Sequence, residues 1–580
     1  MSGRPKSRTL GDLLDEMAAE RPHAQALAFR HEHLGYAALR ARVDELARAL
    51  IAVGVTRGDR VAVLLPNCPE WVVAALAIAK IGGIVSAIST FSTARELGWM
   101  LEHSEAVALI TVSAFRGHAY LDALHDLCPE LAGSAPGALR SARLPRLRTV
   151  VSMDGRRGDG VFQREDFLAL GAGVGTAALR VSQRSVSPSD VCYLLYTSGS
   201  TATPKGVTLA HGGVIENGFN IGERQHLTPA DRLWLAVPLF WSFGSANALP
   251  AILTHGGCVV LQESFEPGEA LELLDRERCS VYYGMANMAR AMLEHPDRPR
   301  RRLDTMRTGL TIGLAEDIEM TMEAVGAREL CNVYGSTETY GNCAVTDAHD
   351  PLAWRLHTQG LPLPGMDIRV ADPETRRPLP AGEVGELCVA GHVTPGYFRA
   401  PELDAAAFDG EGYFHTGDLG LVGEDGRVRF RGRLKEMIKT GGINVAPLEV
   451  ESVLLQHPGV KQAYVIGVPD RDKDEVVVAV LELYPAAGAD AGAIVAFCRE
   501  RLASYKVPTR LVFRKAEEFP RTPTGKIHKP GLREELATDQ SPTRRTRSGD
   551  AARCAGRRCE GDRQLDSRRA RHVRSAATGR

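Results

Sequence analysis

Val191-Cys-Tyr-Leu-Leu195 followed by Tyr196-Thr-Ser-Gly-Ser-Thr-Ala-Thr-Pro-Lys-Gly206 is a short apolar strand running into a loop of hydroxyl side chains and glycines, closed by proline, lysine and glycine. Glycine lets backbone N–H groups approach a phosphate, hydroxyls add neutral donors, and the lysine adds positive charge. Such a loop suits a nucleoside triphosphate. It is not a Walker loop, which needs Gly-Lys-Ser/Thr at the mouth of a helix, because here the order is Lys205-Gly206-Val207. Read alone, the stretch serves equally well as a flexible polar turn.

On both sides of this strand, apolar β-branched runs alternate with amphipathic segments. Val61-Ala-Val-Leu-Leu65 reads as a strand and Glu70 to Ile81 as a helix; Val107 to Val112 and Arg148-Thr-Val-Val151 read as further strands. Leu233-Trp-Leu-Ala-Val237, Cys258-Val-Val-Leu261 and Ser280-Val-Tyr-Tyr283 follow, each with helical periodicity behind it. This alternation predicts mostly parallel sheets covered by helices. Residues 128–146, rich in Pro, Gly, Ala and Arg, read as a surface loop. After Leu361 short runs such as Gly385-Glu-Leu-Cys-Val389 and Arg427-Val-Arg-Phe430 sit between Gly- and Pro-rich turns, the pattern of an antiparallel, barrel-like unit. A compact α/β segment then carries strands at Ala463-Tyr-Val-Ile-Gly467, Glu475 to Leu483 and Arg510-Leu-Val-Phe513, with helices near 447–456 and 491–503. The expected organisation is α/β throughout: a large N-terminal domain over residues 9–432, a small C-terminal domain over 433–536, and a basic, disordered tail over 537–580.

Composition narrows the class. The 580 residues suffice for several cores, and 44% hydrophobic with 24% charged residues is ordinary for a soluble globular protein. The formal net charge of −1 conceals an arginine-rich tail behind a modestly acidic body, so nothing in the body suggests a nucleic-acid partner. The 11 cysteines are dispersed, without a Cys-x-x-Cys pair, and read as reduced packing residues in the cytoplasm. Trp71 to Ile88 is the longest apolar stretch, but Lys80 and Gly82-Gly83 interrupt it; a buried helix and strand explain it better than a membrane span.

Four more polar clusters carry possible chemistry. They are Asn332-Val-Tyr-Gly-Ser-Thr-Glu338, Tyr413-Phe-His-Thr-Gly-Asp418, Gly432-Arg-Leu-Lys-Glu436 with Gly441-Gly442 behind it, and Pro520-Arg-Thr-Pro-Thr-Gly-Lys526. With the opening loop, and in this order, they resemble the signature set of the AMP-forming adenylating superfamily: acyl- and aryl-CoA synthetases, luciferases and peptide-synthetase adenylation domains. The resemblance spans about residues 10–535 and includes the weaker marks Gly382-Glu-Val-Gly-Glu-Leu387 and Gly396-Tyr-Phe-Arg-Ala-Pro401.

The resemblance implies a reaction in which a carboxylate attacks the α-phosphate of ATP, releasing pyrophosphate and leaving an acyl-adenylate. It implies that Thr197, Ser198, Gly199, Ser200, Thr201 and Lys205 hold the β- and γ-phosphates. Tyr334, with Gly335 and Ser336 beside it, would stack on adenine, Thr337 would touch the α-phosphate and Glu338 would bind Mg²⁺. Asp418, assisted by Arg433, would grip the ribose. Lys526 would bridge the α-phosphate and the substrate carboxylate, Lys435 would be the hinge of a mobile C-terminal domain, and Gly441 and Gly442 would line the tunnel for coenzyme A. Two departures stand out. Ala202 replaces a usual glycine, adding a Cβ to the phosphate loop, and Gly313-Leu-Ala-Glu316 replaces a Gly-Gly-Ala-Pro-like turn.

Trp241, in Pro238-Leu-Phe-Trp-Ser-Phe-Gly244, stands where many relatives carry histidine, at a position that gates the thiol or floors the acyl pocket. No aspartate lies between Arg232 and Leu261 to pair an α-ammonium group, which argues against an amino-acid substrate. Tyr283, Met285 and Asn287 are pocket candidates that leave fatty, aryl and alicyclic acids open. The leading expectation is an acid–CoA ligase using ATP, Mg²⁺ and coenzyme A. An adenylase loading a carrier protein, and a catalytically weak nucleotide-binding relative, are the alternatives.

Overall fold

The computed structural model describes residues 4–155, 158–197, 204–440, 443–470, 473–485, 490–521 and 527–538. Two parallel sheets form the large body. The first has seven strands in the order Lys205–Ala210, Val191–Thr197, Ile84–Ala87, Arg60–Leu64, Ala108–Thr111, Thr149–Ser152 and Phe162–Gln163. All neighbours in it run parallel except the terminal hairpin, where Thr197 pairs with Lys205. The second has nine strands; its centre, Glu329–Tyr334, Thr308–Thr311, Val281–Tyr283, Arg232–Leu235 and Cys258–Leu261, is parallel. Central strands such as Arg60–Leu64 and Cys258–Leu261 are buried on both faces, which explains their unbroken apolar runs.

The stretch from Trp71 is the fully buried helix Pro69–Lys80 followed by Ile84–Ala87, as its interruptions suggested. Residues 128–146 run over the surface as expected, with most side chains exposed. The segment opens with a 3₁₀ turn, Pro129–Gly133, and is anchored by Leu131, Leu139 and Leu144, which pack in the core that also holds Leu64, Leu109 and Val150 of the sheet.

The expected barrel-like unit is an open four-stranded antiparallel meander: Met366–Ala371, Gly385–Gly391, Phe414–Val422 and Val428–Arg433. Among the described residues its two outer strands do not pair, and four strands are too few to enclose a side-chain core. Past Arg433 a five-stranded sheet built on the long hairpin Val460–Asp470 and Asp474–Leu483 is flanked by helices Pro447–Leu455, Ala491–Arg501 and Lys529–Thr538. The last helix runs two residues past the expected end of the domain. The basic tail, together with Ser198 to Thr201, Ala202, Gly441, Gly442 and Lys526, lies outside the described residues.

Candidate active site

The hairpin that ends the first sheet places Thr197 and Lys205 opposite each other at the two feet of the glycine- and hydroxyl-rich loop. Lys205 Nζ sits 5.0 Å over the ring of Tyr397, and the Tyr397 hydroxyl donates to Glu338 Oε1 at 2.9 Å. Burial, then the charge of Glu338, pushes the Tyr397 phenol well above its usual range, so it stays a donor. Three distant segments thus meet in a line of cation, ring and carboxylate.

Tyr397 arrives there because its segment is laced to the strand Lys205–Ala210. Thr394 Oγ1 donates to Thr208 O at 2.6 Å, Thr208 Oγ1 donates to Gly396 O at 2.6 Å, and Phe398 N donates to Gly206 O at 2.7 Å. Gly396 has φ of +141°, and a Cβ there would fall 2.8 Å from the Asp404 carboxylate that accepts from Tyr397 N. Glycine is required at that turn.

Glu338 belongs to the turn following Glu329–Tyr334. Gly335 lets that turn close, since a Cβ would lie 2.5 Å from the backbone of Gly341 and Asn342. Ser336 N donates to Thr339 Oγ1 at 3.0 Å and starts the 3₁₀ turn Thr337–Thr339. The Thr337 hydroxyl lies 3.0 Å from that of Ser242. Ser242 follows Trp241, a half-buried ring set edge-on to Phe240 at 5.9 Å. The wide π-helical turn Phe243–Ala248 starts directly behind it, a geometry often found at functional sites.

On the meander, Asp418 and Arg433 are cross-strand partners, with Arg433 Nε 3.4 Å from Asp418 Oδ1. Tyr334 donates its hydroxyl to Asp418 Oδ2 and to Thr416 Oγ1, both at 3.1 Å. Burial lifts the Asp418 carboxyl to about 6 although Arg433 and the Tyr334 hydroxyl pull it down; Glu338 is near enough to add to the rise. The Tyr334 ring is only 6% exposed and stacks on Phe430 at 5.7 Å, so any base stacking uses its other face.

Glu386, buried beneath this arm, was visible in the sequence only as part of a weak mark. Its Oε1 accepts from Gly417 N at 2.9 Å and its Oε2 lies 2.8 Å from His415 Nδ1, which fixes the turn (Gly417 φ +71°) presenting Asp418. Tyr397 and Ser242 also lay within quoted motifs without an assigned role.

Glu338 Oε2 has no protein partner among the described residues, and a half-exposed hard oxygen fits Mg²⁺. Among those residues Glu338 belongs to no group of three protein ligands, so most positions around the ion would fall to phosphate oxygens and water, the usual manner for Mg²⁺. Tyr283 is fully buried with its hydroxyl held by Gln225 at 2.8 Å, Met285 is half-buried and Asn287 is exposed. Glu316 lies in the first turn of the helix Ala315–Val325 and accepts from Gln456 of the C-terminal unit at 3.2 Å.

Two parallel sheets, an antiparallel arm bearing a buried aspartate and a hydroxyl-rich loop at a sheet-edge hairpin define the class: an enzyme of the AMP-forming adenylating superfamily. Family models agree, "AMP-binding enzyme" matching residues 14–398 and "AMP-binding enzyme C-terminal domain" matching 449–526. The chain belongs to the AMP-binding enzyme family. It is 34% identical to YngI of Bacillus subtilis (strain 168) over 91% of this chain and 96% of that one. It is 33% identical to the medium-chain acyl-CoA ligase ACSF2, mitochondrial, of Mus musculus, over 91% of this chain and 87% of the relative. The crystal structure of ATP-bound MatB from Rhodopseudomonas palustris superposes with a TM-score of 0.78 at 28% identity, covering 92% of this chain and all of that one.

Proposed function

We propose that this chain is an ATP-dependent acid–CoA ligase. A carboxylate oxygen of the acid attacks the α-phosphorus of ATP and pyrophosphate leaves. The coenzyme A thiol, losing its proton, then attacks the acyl carbon, and AMP leaves as the thioester forms. The observation that carries this reading is the Lys205–Tyr397–Glu338 line, which brings a cation and a metal-binding carboxylate to the mouth of a hydroxyl-rich loop. Two anions must meet in the first step, and catalysis there is largely positioning and charge neutralisation.

In this reading Thr197, Lys205 and the loop between them hold the β- and γ-phosphates, and Thr337 faces the α-phosphate. Glu338 holds Mg²⁺, which supplies charge neutralisation on the phosphates. Asp418 and Arg433 take the ribose hydroxyls. Lys526 neutralises charge where carboxylate and α-phosphate meet, and the C-terminal domain carrying it starts at Arg433 and turns about Lys435. Trp241, beside Ser242 and Thr337, borders the acyl and thiol entrance. The names of the relatives favour coenzyme A over a carrier protein, and the substrate is an acid without an α-ammonium group. Nine described cysteines, all buried and unpaired, suit the cytoplasm. No helix among the described residues is long and apolar enough to cross a membrane.

ATP–pyrophosphate exchange over a panel of fatty, aryl and alicyclic acids, with and without coenzyme A, tests the proposal. Acid-dependent exchange with thioester formation is expected. No exchange with any acid overturns it, and exchange without thioester would point to a carrier-protein acceptor.

A further inference from the structure

At the far end of the strand Glu329–Tyr334, about 16 Å along it from Tyr334 at ordinary strand rise, three segments converge outside the nucleotide site. His226 follows the helix His211–Arg224, Asp347 and His349 lie in the loop behind the short strand Ala344–Val345, and Glu329 opens the strand itself. His226 Nε2 lies 2.8 Å from Asp347 Oδ1, and His349 Nε2 lies 3.8 Å from Glu329 Oε1. One ligand atom from each of His226, Asp347 and His349 falls within 4.8 Å of the others. That spacing surrounds a point about 2 Å from each atom after side-chain adjustment, the bond length Zn²⁺ makes to imidazole nitrogen and carboxylate oxygen.

The local backbone is already set. Asp347 Oδ1 accepts from His349 N at 2.9 Å, Asp347 N donates to Asp350 Oδ2 at 3.0 Å, and Ala348 N donates to Arg224 O at 2.8 Å. His226 is held in the left-handed region, φ +52°, with its carbonyl accepting from Arg307 Nη2 at 2.8 Å. A non-glycine residue held there is worth examining for function. The two imidazoles stack face to face with centroids 3.9 Å apart. Lone pairs lie in the ring planes, so one ring turns out of this stack for both nitrogens to face a shared ion. The Arg307 guanidinium is answered by Asp231 at 2.6 Å and Glu329 at 3.4 Å, and Arg224 lies near enough to act on the Asp347 charge.

We propose that His226, Asp347 and His349 form a binding site for a zinc-class divalent ion, with Glu329 in reach as a fourth ligand. Two imidazoles with a carboxylate select Zn²⁺ over Mg²⁺ or Ca²⁺, which take all-oxygen sets. Sited away from the nucleotide residues, the ion ties the end of the helix His211–Arg224 to the loop behind the Glu329–Tyr334 hairpin. Its role is structural.

The test is calorimetric titration of ZnCl₂ into the EDTA-dialysed full chain, beside H226A/H349A and H349A, with thermal unfolding of each. Wild type is expected to bind one more Zn²⁺ per chain than the double variant, at micromolar Kd, and to gain several degrees in Tm that the double variant does not gain. H349A, altered at a side chain 62% exposed, keeps the comparison available if the double variant fails to fold; it is expected to weaken that binding at least tenfold. Equal stoichiometry and affinity in wild type and H349A, or no zinc-dependent change in the wild type, overturns the proposal.

Discussion

In the proposed function Asp418 takes the ribose, which couples its protonation to nucleotide binding. Burial raises its carboxyl to about 6, while a ribose needs the ionised form as acceptor. Affinity for AMP or ATP is therefore expected to fall as pH drops through 6, approaching tenfold per unit below it; Asp418→Asn should bind weakly with a flat profile. Isothermal titration from pH 5 to 8 checks this, and equal profiles would remove Asp418 from the site. The stability sign is opposite. A folded-state value above the ordinary 3.8 means the fold holds the extra proton, so the favourable contribution is full below about 3.8 and lost as pH rises through 6. At pH 7 Asp418→Asn should stabilise the apo chain, by about 3 kcal/mol at most. Tyr397 makes a second residue-scale case. Tyr397→Phe removes the donor to Glu338 Oε1, and a hydrogen bond to a charged group is worth about 1.5–3 kcal/mol. The exchange rate should fall about tenfold or more, with Tm lowered by only a few degrees; an unaltered rate would mean Glu338 needs no orientation.

Among elements, the hairpin Val191–Thr197 and Lys205–Ala210 and the parallel strands were legible because apolar runs, turn residues and a loop of distinctive chemistry lie contiguous in the chain. Glu386, Tyr397 and Ser242 were not legible as site residues, since each acts through contacts with segments far away in sequence. Lys205 meets Tyr397, and Ser242 meets Thr337, only once the fold brings them together. The meander resembled a barrel because short strands between glycines look alike whether or not the edges close. A buried charge was hidden for the same reason. Lys80, 2% exposed at the end of the helix Pro69–Lys80, reaches Asp15 at 2.7 Å and Asp44 at 2.6 Å, binding three helices together. Gly11 makes room for it, as a Cβ there would lie 2.8 Å from Lys80 Cγ. Lys80→Ala removes the cation between two partly exposed carboxylates, Asp15 keeping its bond from Gln183 Nε2 at 2.8 Å, and should cost about 2 kcal/mol, read by urea denaturation; no measurable loss would show that water satisfies Asp15 and Asp44.

At the scale of the whole molecule, the C-terminal unit rests on the large one through polar contacts: Lys461 to Glu294 at 3.1 Å, Arg290 to the Tyr484 hydroxyl at 3.3 Å and Gln456 to Glu316 at 3.2 Å. Exposed pairs of this kind contribute little each, which suits the proposed turning of this unit about Lys435. Lys529, three residues past Lys526, is anchored to Glu451 at 2.8 Å and to Glu436 at 3.3 Å, beside the turn Leu434–Glu436 that holds Lys435. Lys526→Ala should lose adenylation far more than thioester formation from supplied acyl-AMP; equal losses would refute its role. Ending the chain after Thr538 should leave both steps within twofold of the full chain. The central claim is that the acid is joined to the α-phosphorus. Substrate acid labelled with ¹⁸O in its carboxylate tests this directly in one turnover with ATP and coenzyme A. The account predicts AMP carrying one ¹⁸O on its phosphate, with unlabelled pyrophosphate; label in inorganic phosphate, with ADP as the nucleotide product, would contradict it.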